Sequence, residues 1–214
     1  MGPERLAAPD LERIFQGETV SGLSEWQLLS RYLENRDELA FAALVARHGP
    51  MVMGTCRRML ARGADAEDAF QATFLVLVRR ARSLSPRDAI GPWLHGVAAR
   101  VSMRARSQAA RRRQVEPSRG ELSSVPAWTN PVDGELAAIL DQEVNRLPEK
   151  YRAPIVLCYL QGLTHEEASR QLNWPLGSVK GRLARARDVL RSRLLRRGIA
   201  PRSEEHTSEL QSPC

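Results

Sequence analysis

An all-α fold of two small helical domains joined by a flexible linker is what this sequence predicts, and three observations carry the expectation. Aromatic residues make up only 5% of the 214 residues while Ala, Leu and Arg abound, a composition that favours helix over sheet. Apolar residues recur at three- and four-residue spacing through nearly every ordered stretch. Between these stretches, residues 114–134 (QVEPSRGELSSVPAWTNPVDG) are rich in Pro, Ser and Gly without a helical period, which marks a linker.

Residues 1–25 read as an N-terminal extension and residues 26–113 as the first domain. Its helical candidates are WQLLSRYL, ELAFAALVARHGPMVMGTCRRML, DAEDAFQATFLVLVRRA and WLHGVAARVSMRARSQAARRR, broken by Gly49-Pro50, Gly63 and the loop SLSPRDAIGP. In the third of these, Asp65 reads as the cap, and Glu67 and Asp68 complement the helix dipole. Phe70, Phe74, Leu77 and Ala81 line one face. Leu75 and Val76 stand on another side with Gln71 and Asp68, a second, partly apolar face that suits a protein partner. Periodicity equally allows a central helix buried all round.

The stretch Arg79 to Arg119 holds eleven arginines against only Asp88 and Glu116. Arg100, Arg104 and Arg111 share a face of the fourth candidate helix and form a row able to follow phosphates. Trp93, with His95 two residues on, suits a splayed single strand whose bases stack on a ring while cations hold its backbone. More often a tryptophan in such a place is core.

Residues 135–201 form the second domain. Leu136, Ile139, Leu140, Val144 and Leu147 make one apolar stripe, and Ile155, Val156, Tyr159 and Leu160 a second. Thr164 then opens a helix in a capping box with Glu167. Ala168 and Leu172 face inward, and Asn173, Pro175 and Gly177 end the helix and turn the chain. From Ser178 a further helix places Val179, Leu183, Ala186, Leu190 and Leu194 on one stripe. Opposite that stripe fall Ser178, Gly181, Ala184 and Arg185, flanked by Lys180, Arg182, Arg187 and Arg191. This is a helix-turn-helix whose second helix fits a major groove, N-terminus first; a basic, solvated bundle helix is the bland reading of the same residues.

A formal charge of +7 and a pI near 10.1 point to a polyanionic partner. Nothing in the sequence approaches a membrane-spanning length, and the N-terminus lacks a signal-peptide core, so a cytoplasmic protein is expected. Cys56 and Cys158 are isolated, which favours reduced, buried thiols over metal ligands. Neither a phosphate-cradling Gly loop nor a nucleophile elbow occurs, the histidines are scattered, and Asp65, Glu67 and Asp68 crowd one helical turn. No catalytic residue, metal or cofactor is expected. Residues 202–214 break sharply from the helix before them and resemble a translated sequencing-library adapter, so they are expected to be an artefact that carries no function.

With those residues in hand, the chain resembles a group IV (extracytoplasmic function, ECF) sigma factor of the sigma-70 family, from about Leu28 to Leu195. HGPMVMGTCRRMLARGADAEDAFQATFLVLVRRA is similar to family regions 2.1 and 2.2, GPWLHGVAARVSMRARSQAARRR to regions 2.3 and 2.4, and LPEKYRAPIVLCYLQGLTHEEASRQLNWPLGSVKGRLARARDVLR to region 4. The resemblance implies binding to core RNA polymerase, through the clamp helices of its largest subunit and the flap of its second. Asp68, Gln71, Leu75 and Arg79 would face the clamp. Capture and melting of a −10 promoter element would fall to the loop Ser83 to Gly91, Trp93, Arg100 and Arg104, and −35 reading to Ser178, Lys180, Arg182 and Arg185. An anti-sigma factor is a further partner that the family allows. This chain departs from many relatives at Val101, where they carry Asn, and at Asn173, where they carry Gly. Two other readings of the residues stand beside this one: a stand-alone helix-turn-helix regulator that does not bind core polymerase, and, more distantly, a metal-dependent nuclease.

Overall fold

The computed structural model describes residues 20, 22–85, 89–115 and 131–199, and every regular element among them is helical. In chain order these are α1 (Glu25–Asn35), α2 (Glu38–Met59), α3 (Gly63–Arg80), a 3₁₀ turn (Ala81–Ser83), α4 (Ile90–Val115), α5 (Pro131–Asn145), α6 (Glu149–Ile155), a π-helical turn (Val156–Leu160), α7 (His165–Leu172) and α8 (Leu176–Arg196). Residues 1–19 of the expected extension, and the whole of the expected artefact tail, lie outside the described residues.

Side-chain caps set the starts of α1, α2 and α7. Ser24 and Gln27 form a capping box at α1, with Ser24 N–H donating to Gln27 Oε1 at 2.8 Å. Asp37 caps α2, its Oδ1 accepting from Leu39 N at 3.0 Å and Ala40 N at 3.1 Å. Asp37→Ala is therefore expected to cost about 1–2 kcal/mol in urea unfolding, whereas a loss below about 0.3 kcal/mol would show that α2 starts without this cap.

The Gly49-Pro50 pair does not interrupt α2, contrary to expectation. Pro50 lies on the exposed side, where the carbonyl it leaves unpaired reaches water, and Gly49 sits buried beside the Phe70 ring. Nor does Asp65 cap α3: the chain turns helical at Gly63, Arg62 is the N-cap residue, and Asp65 adds its charge to the first turn instead. At the ends of the Pro/Ser/Gly-rich stretch, α4 runs to Val115 and α5 begins at Pro131, whose missing N–H costs nothing in a first helical turn.

In the N-terminal unit, α2 lies at the centre against α1, α3 and α4. The C-terminal unit packs α6 and α7 on α8. Helix α5 touches both, lying against α2 and α4 on one side and α6 and α8 on the other, and the main cluster of buried apolar side chains continues through the two units. This placement overturns the first half of the expected α5 stripe and keeps the second: Leu136 and Leu140 are exposed and Ile139 is half-buried, Val144 and Leu147 are buried as expected, and Ala138, Asp141 and Glu143 are buried beside them. The reason is that α5 meets a neighbour on each side, and polar partners wait on both. Glu143 takes Arg146 at 2.8 Å and Arg197 at 2.7 Å, and Asp141 takes Arg58 at 2.7 Å. In the second stripe Tyr159 is likewise exposed, because the π turn that follows Pro154 rotates it off the inward face.

Candidate nucleic-acid and polymerase interface

The helix-turn-helix is built as its residues dictate. Thr164 Oγ1 accepts from Glu167 N at 3.2 Å, and Glu167 Oε2 accepts from Thr164 N at 2.8 Å. The Thr164 N–H, together with the Thr164 hydroxyl that donates to Glu167 Oε2 at 2.9 Å, holds the exposed Glu167 carboxyl below its ordinary value. Asn173 ends α7 in the left-handed region at φ 52°, the backbone that asparagine tolerates best after glycine. Helix α8 then starts at Leu176, two residues ahead of the expected Ser178. Val179, Leu183, Ala186 and Leu190 are buried as one stripe, with Leu194 half-buried.

Among the four residues expected to read the −35 element, Lys180 and Arg185 are exposed, and Gly181 and Ala184 beside them leave the surface low. Ser178 is half-buried. Arg182 is half-buried too, and its guanidinium stacks 3.9 Å from the centre of the Trp174 ring. Trp174 was not singled out in the sequence. Its signal is position: an aromatic residue inside the turn, one residue before Pro175, sits where the first turns of α8 pass over it.

On α3 the structure gathers a second surface. Phe70 and Phe74 turn inward, with ring centroids 5.0 Å apart, and Phe74 meets Phe41 edge-on at 6.3 Å. Asp68, Gln71, Leu75 and Arg79 all stand exposed on the other side, and Leu75 retains 57% of its surface. Their spacing of three or four residues per step places them in one line along the helix. Helix α3 is thus not buried all round.

Helix α4 carries the remaining candidates. Arg100, Arg104 and Arg111 are exposed along it, whereas Trp93 is half-buried against the core. Of the expected loop, Ser83 ends the 3₁₀ turn and is exposed, Ser85 is exposed, Gly91 is buried in the first turn of α4, and residues 86–88 lie outside the described residues. The pairing of Trp93 with His95 on one nucleic-acid surface is overturned. His95 is fully buried, and its Nε2 lies 3.2 Å from Asp141 Oδ1. Burial would push the Asp141 carboxyl up, but hydrogen bonds from His95 and Arg58 outweigh it and hold the group below its ordinary value.

Both cysteines within the described residues are free, and burial pushes their thiols up. Among the described residues no set of three His, Cys, Asp or Glu side chains converges to hold a metal ion, and no helix is long and apolar enough to cross a membrane.

Two family models match the chain: Sigma-70 region 2 over residues 44–112, and Sigma-70, region 4 over residues 137–190. The RNA polymerase sigma factor CarQ of Myxococcus xanthus is 33% identical over 158 residues, which are 72% of this chain and 89% of the relative. The ECF RNA polymerase sigma factor SigE of Mycolicibacterium smegmatis is 33% identical over 159 residues, 71% of this chain but 60% of SigE's own length. A solved structure of the sigma factor RpoE in complex with the anti-sigma factor NepR from Bartonella quintana is similar at a TM-score of 0.38 and 21% identity, over 72% of this chain and 96% of that one. A stand-alone helix-turn-helix regulator accounts for the second family match but not for the first. The chain belongs to the sigma-70 family of RNA polymerase sigma factors, in its ECF group.

Proposed function

We propose that the chain binds core RNA polymerase and directs it to promoters, with residues 26–113 docking on the enzyme and opening the −10 element and residues 135–201 reading the −35 element. The observation that carries the reading is the pairing of two exposed surfaces of different chemistry on one chain: the mixed apolar and charged line on α3, and the small, cationic face of α8. A protein partner suits the first and a nucleic acid the second.

On α3, Asp68, Gln71, Leu75 and Arg79 contact the clamp helices of the largest subunit, and the C-terminal unit rests on the flap of the second. On α4, Arg100 and Arg104 hold phosphates while Trp93 offers the exposed part of its ring to an unpaired base. On α8, Lys180 and Arg185 reach base edges; Ser178 and Arg182 flank them, Arg182 with its orientation set by Trp174. Catalysis belongs to the polymerase, so the chain acts as a specificity factor in the cytoplasm and is no enzyme itself. An anti-sigma factor would act on the same two surfaces.

Transcription by core polymerase on a fragmented genomic library tests the reading: specific start sites should appear only when the chain is added. Leu75→Asp should weaken core binding about tenfold to a hundredfold with circular dichroism unchanged, since the side chain is exposed. An unaltered affinity for core polymerase would move the docking surface off α3.

A further inference from the structure

The apolar stripe of α8 ends in arginine. Val179, Leu183, Ala186 and Leu190 fill its inward face, and Arg193 and Arg197 continue that face for one further turn. There they meet the end of α5, where Glu143 is buried. Glu143 Oε1 accepts from Arg146 Nη1 at 2.8 Å and pairs with Arg197 Nη2 at 2.7 Å, and Oε2 accepts from Arg193 Nη1 at 3.5 Å. Arg196 stands exposed beside them, with no hydrogen bond or ion pair among the described residues. These five side chains line an open concavity of about 310 Å³.

Helix capping does not account for the arginines. The last carbonyls of α8 are closed by backbone: Arg197 and Ile199 N–H donate to Leu194 O, and Gly198 N–H donates to Leu195 O, with Gly198 in the left-handed region at φ 75°. At the end of α5, Asn145 O accepts from Arg152 Nη1 instead. No second carboxylate among the described residues lines the concavity. Four guanidinium groups therefore face one carboxylate and two helix C-termini of about −0.5 charge each, which leaves about two positive charges uncompensated.

The shape and charge select an anion. Glu143 engages each of its three arginines through one terminal nitrogen, so it fixes their positions while other N–H donors of each fork stay open. A lone carboxylate would neutralise only half of the excess. Two linked phosphates carry at least two charges, and their tetrahedral oxygens can be shared by forks that approach from two helices. Duplex DNA is another source of phosphate, but the placement is wrong for it. The cluster lies about 20–25 Å along the axis from Lys180, beyond the turns that would enter a major groove, and Arg193 and Arg197 are on the inward side.

We propose that this cluster is a binding site for a compact, diphosphate-bearing anion that bridges the ends of α5 and α8. The site is independent of the promoter role, because the anion is held away from the face that would read DNA.

Calorimetric titration of the full chain with inorganic pyrophosphate, at constant ionic strength, tests the site. Wild type should bind one equivalent. Arg196→Ala and Arg146→Ala should each weaken binding about tenfold, whereas Arg57→Ala, which removes an exposed arginine of α2, should leave it unchanged. Arg196 leaves no partner stranded, and Arg146 is the most exposed of the three arginines on Glu143, so circular dichroism should show both variants folded. Binding of a mixed-sequence DNA duplex is measured on the same proteins. Absence of saturable pyrophosphate binding, or equal losses in all three variants, overturns the site and leaves only diffuse charge. Weaker duplex binding by Arg196→Ala with pyrophosphate affinity intact also overturns it, and assigns the cluster to the DNA backbone.

Discussion

Phe74→Ala is expected to remove about 3–5 kcal/mol of folding stability, enough to leave the N-terminal unit largely unfolded at growth temperature. Phe74 is 6% exposed, and its ring is held edge-on to Phe41 and tilted against Phe70. Truncation deletes the transfer energy of a large ring, opens a cavity between α2 and α3, and breaks two aromatic contacts. Leu75, one residue on, points the other way, so the two variants should separate cleanly. Chemical denaturation of Phe74→Ala checks the first. A shift within about 0.5 kcal/mol, the range of ordinary surface changes, would mean that α3 is rotated about its axis and that the proposed polymerase face is misassigned with it.

Helix existence was legible wherever one neighbour sets the buried face. The α8 stripe and the α7 cap are local facts, written in spacings of three to five residues, and they stand in the structure as the sequence implied. On α3, periodicity could not decide between a buried and a two-faced helix; the exposure of Leu75 decides it. Legibility fails where partners are distant in sequence. The ion pair of Asp141 with Arg58 joins residues 83 apart, and no local pattern announces that α5 will bury a carboxylate while leaving Leu136 and Leu140 outside. The place of His95 is hidden from the sequence for the same reason. Its position beside Trp93 suits a cationic surface, but Asp141, 46 residues further along the chain, takes it into the interior. Nothing in a single helical period marks Trp174, because its partner Arg182 lies across a turn.

Arg185→Ala should cost about 1–3 kcal/mol at one position of the −35 element and relax the preference there, if its guanidinium pairs bidentately with a guanine edge. The prediction is sharper for Arg185 than for Arg182. Arg185 is exposed opposite the buried stripe with Gly181 and Ala184 beside it, and Asp188, three residues on, is the one carboxylate of its own helix. Arg182 must give up or share its stack on Trp174, and Arg182→Ala therefore mixes a lost contact with a loosened turn. Arg191, exposed a turn and a half beyond Arg185, lies too far along α8 to enter the groove with the helix N-terminus. Its removal should weaken all sequences alike and lower the salt slope of binding by about one unit, the signature of a single phosphate contact. Promoter libraries scored at several salt concentrations distinguish the two. Equal, sequence-independent losses for Arg185→Ala and Arg191→Ala would reduce Arg185 to a backbone contact, and base reading would then rest on Lys180, the other exposed candidate near the start of α8.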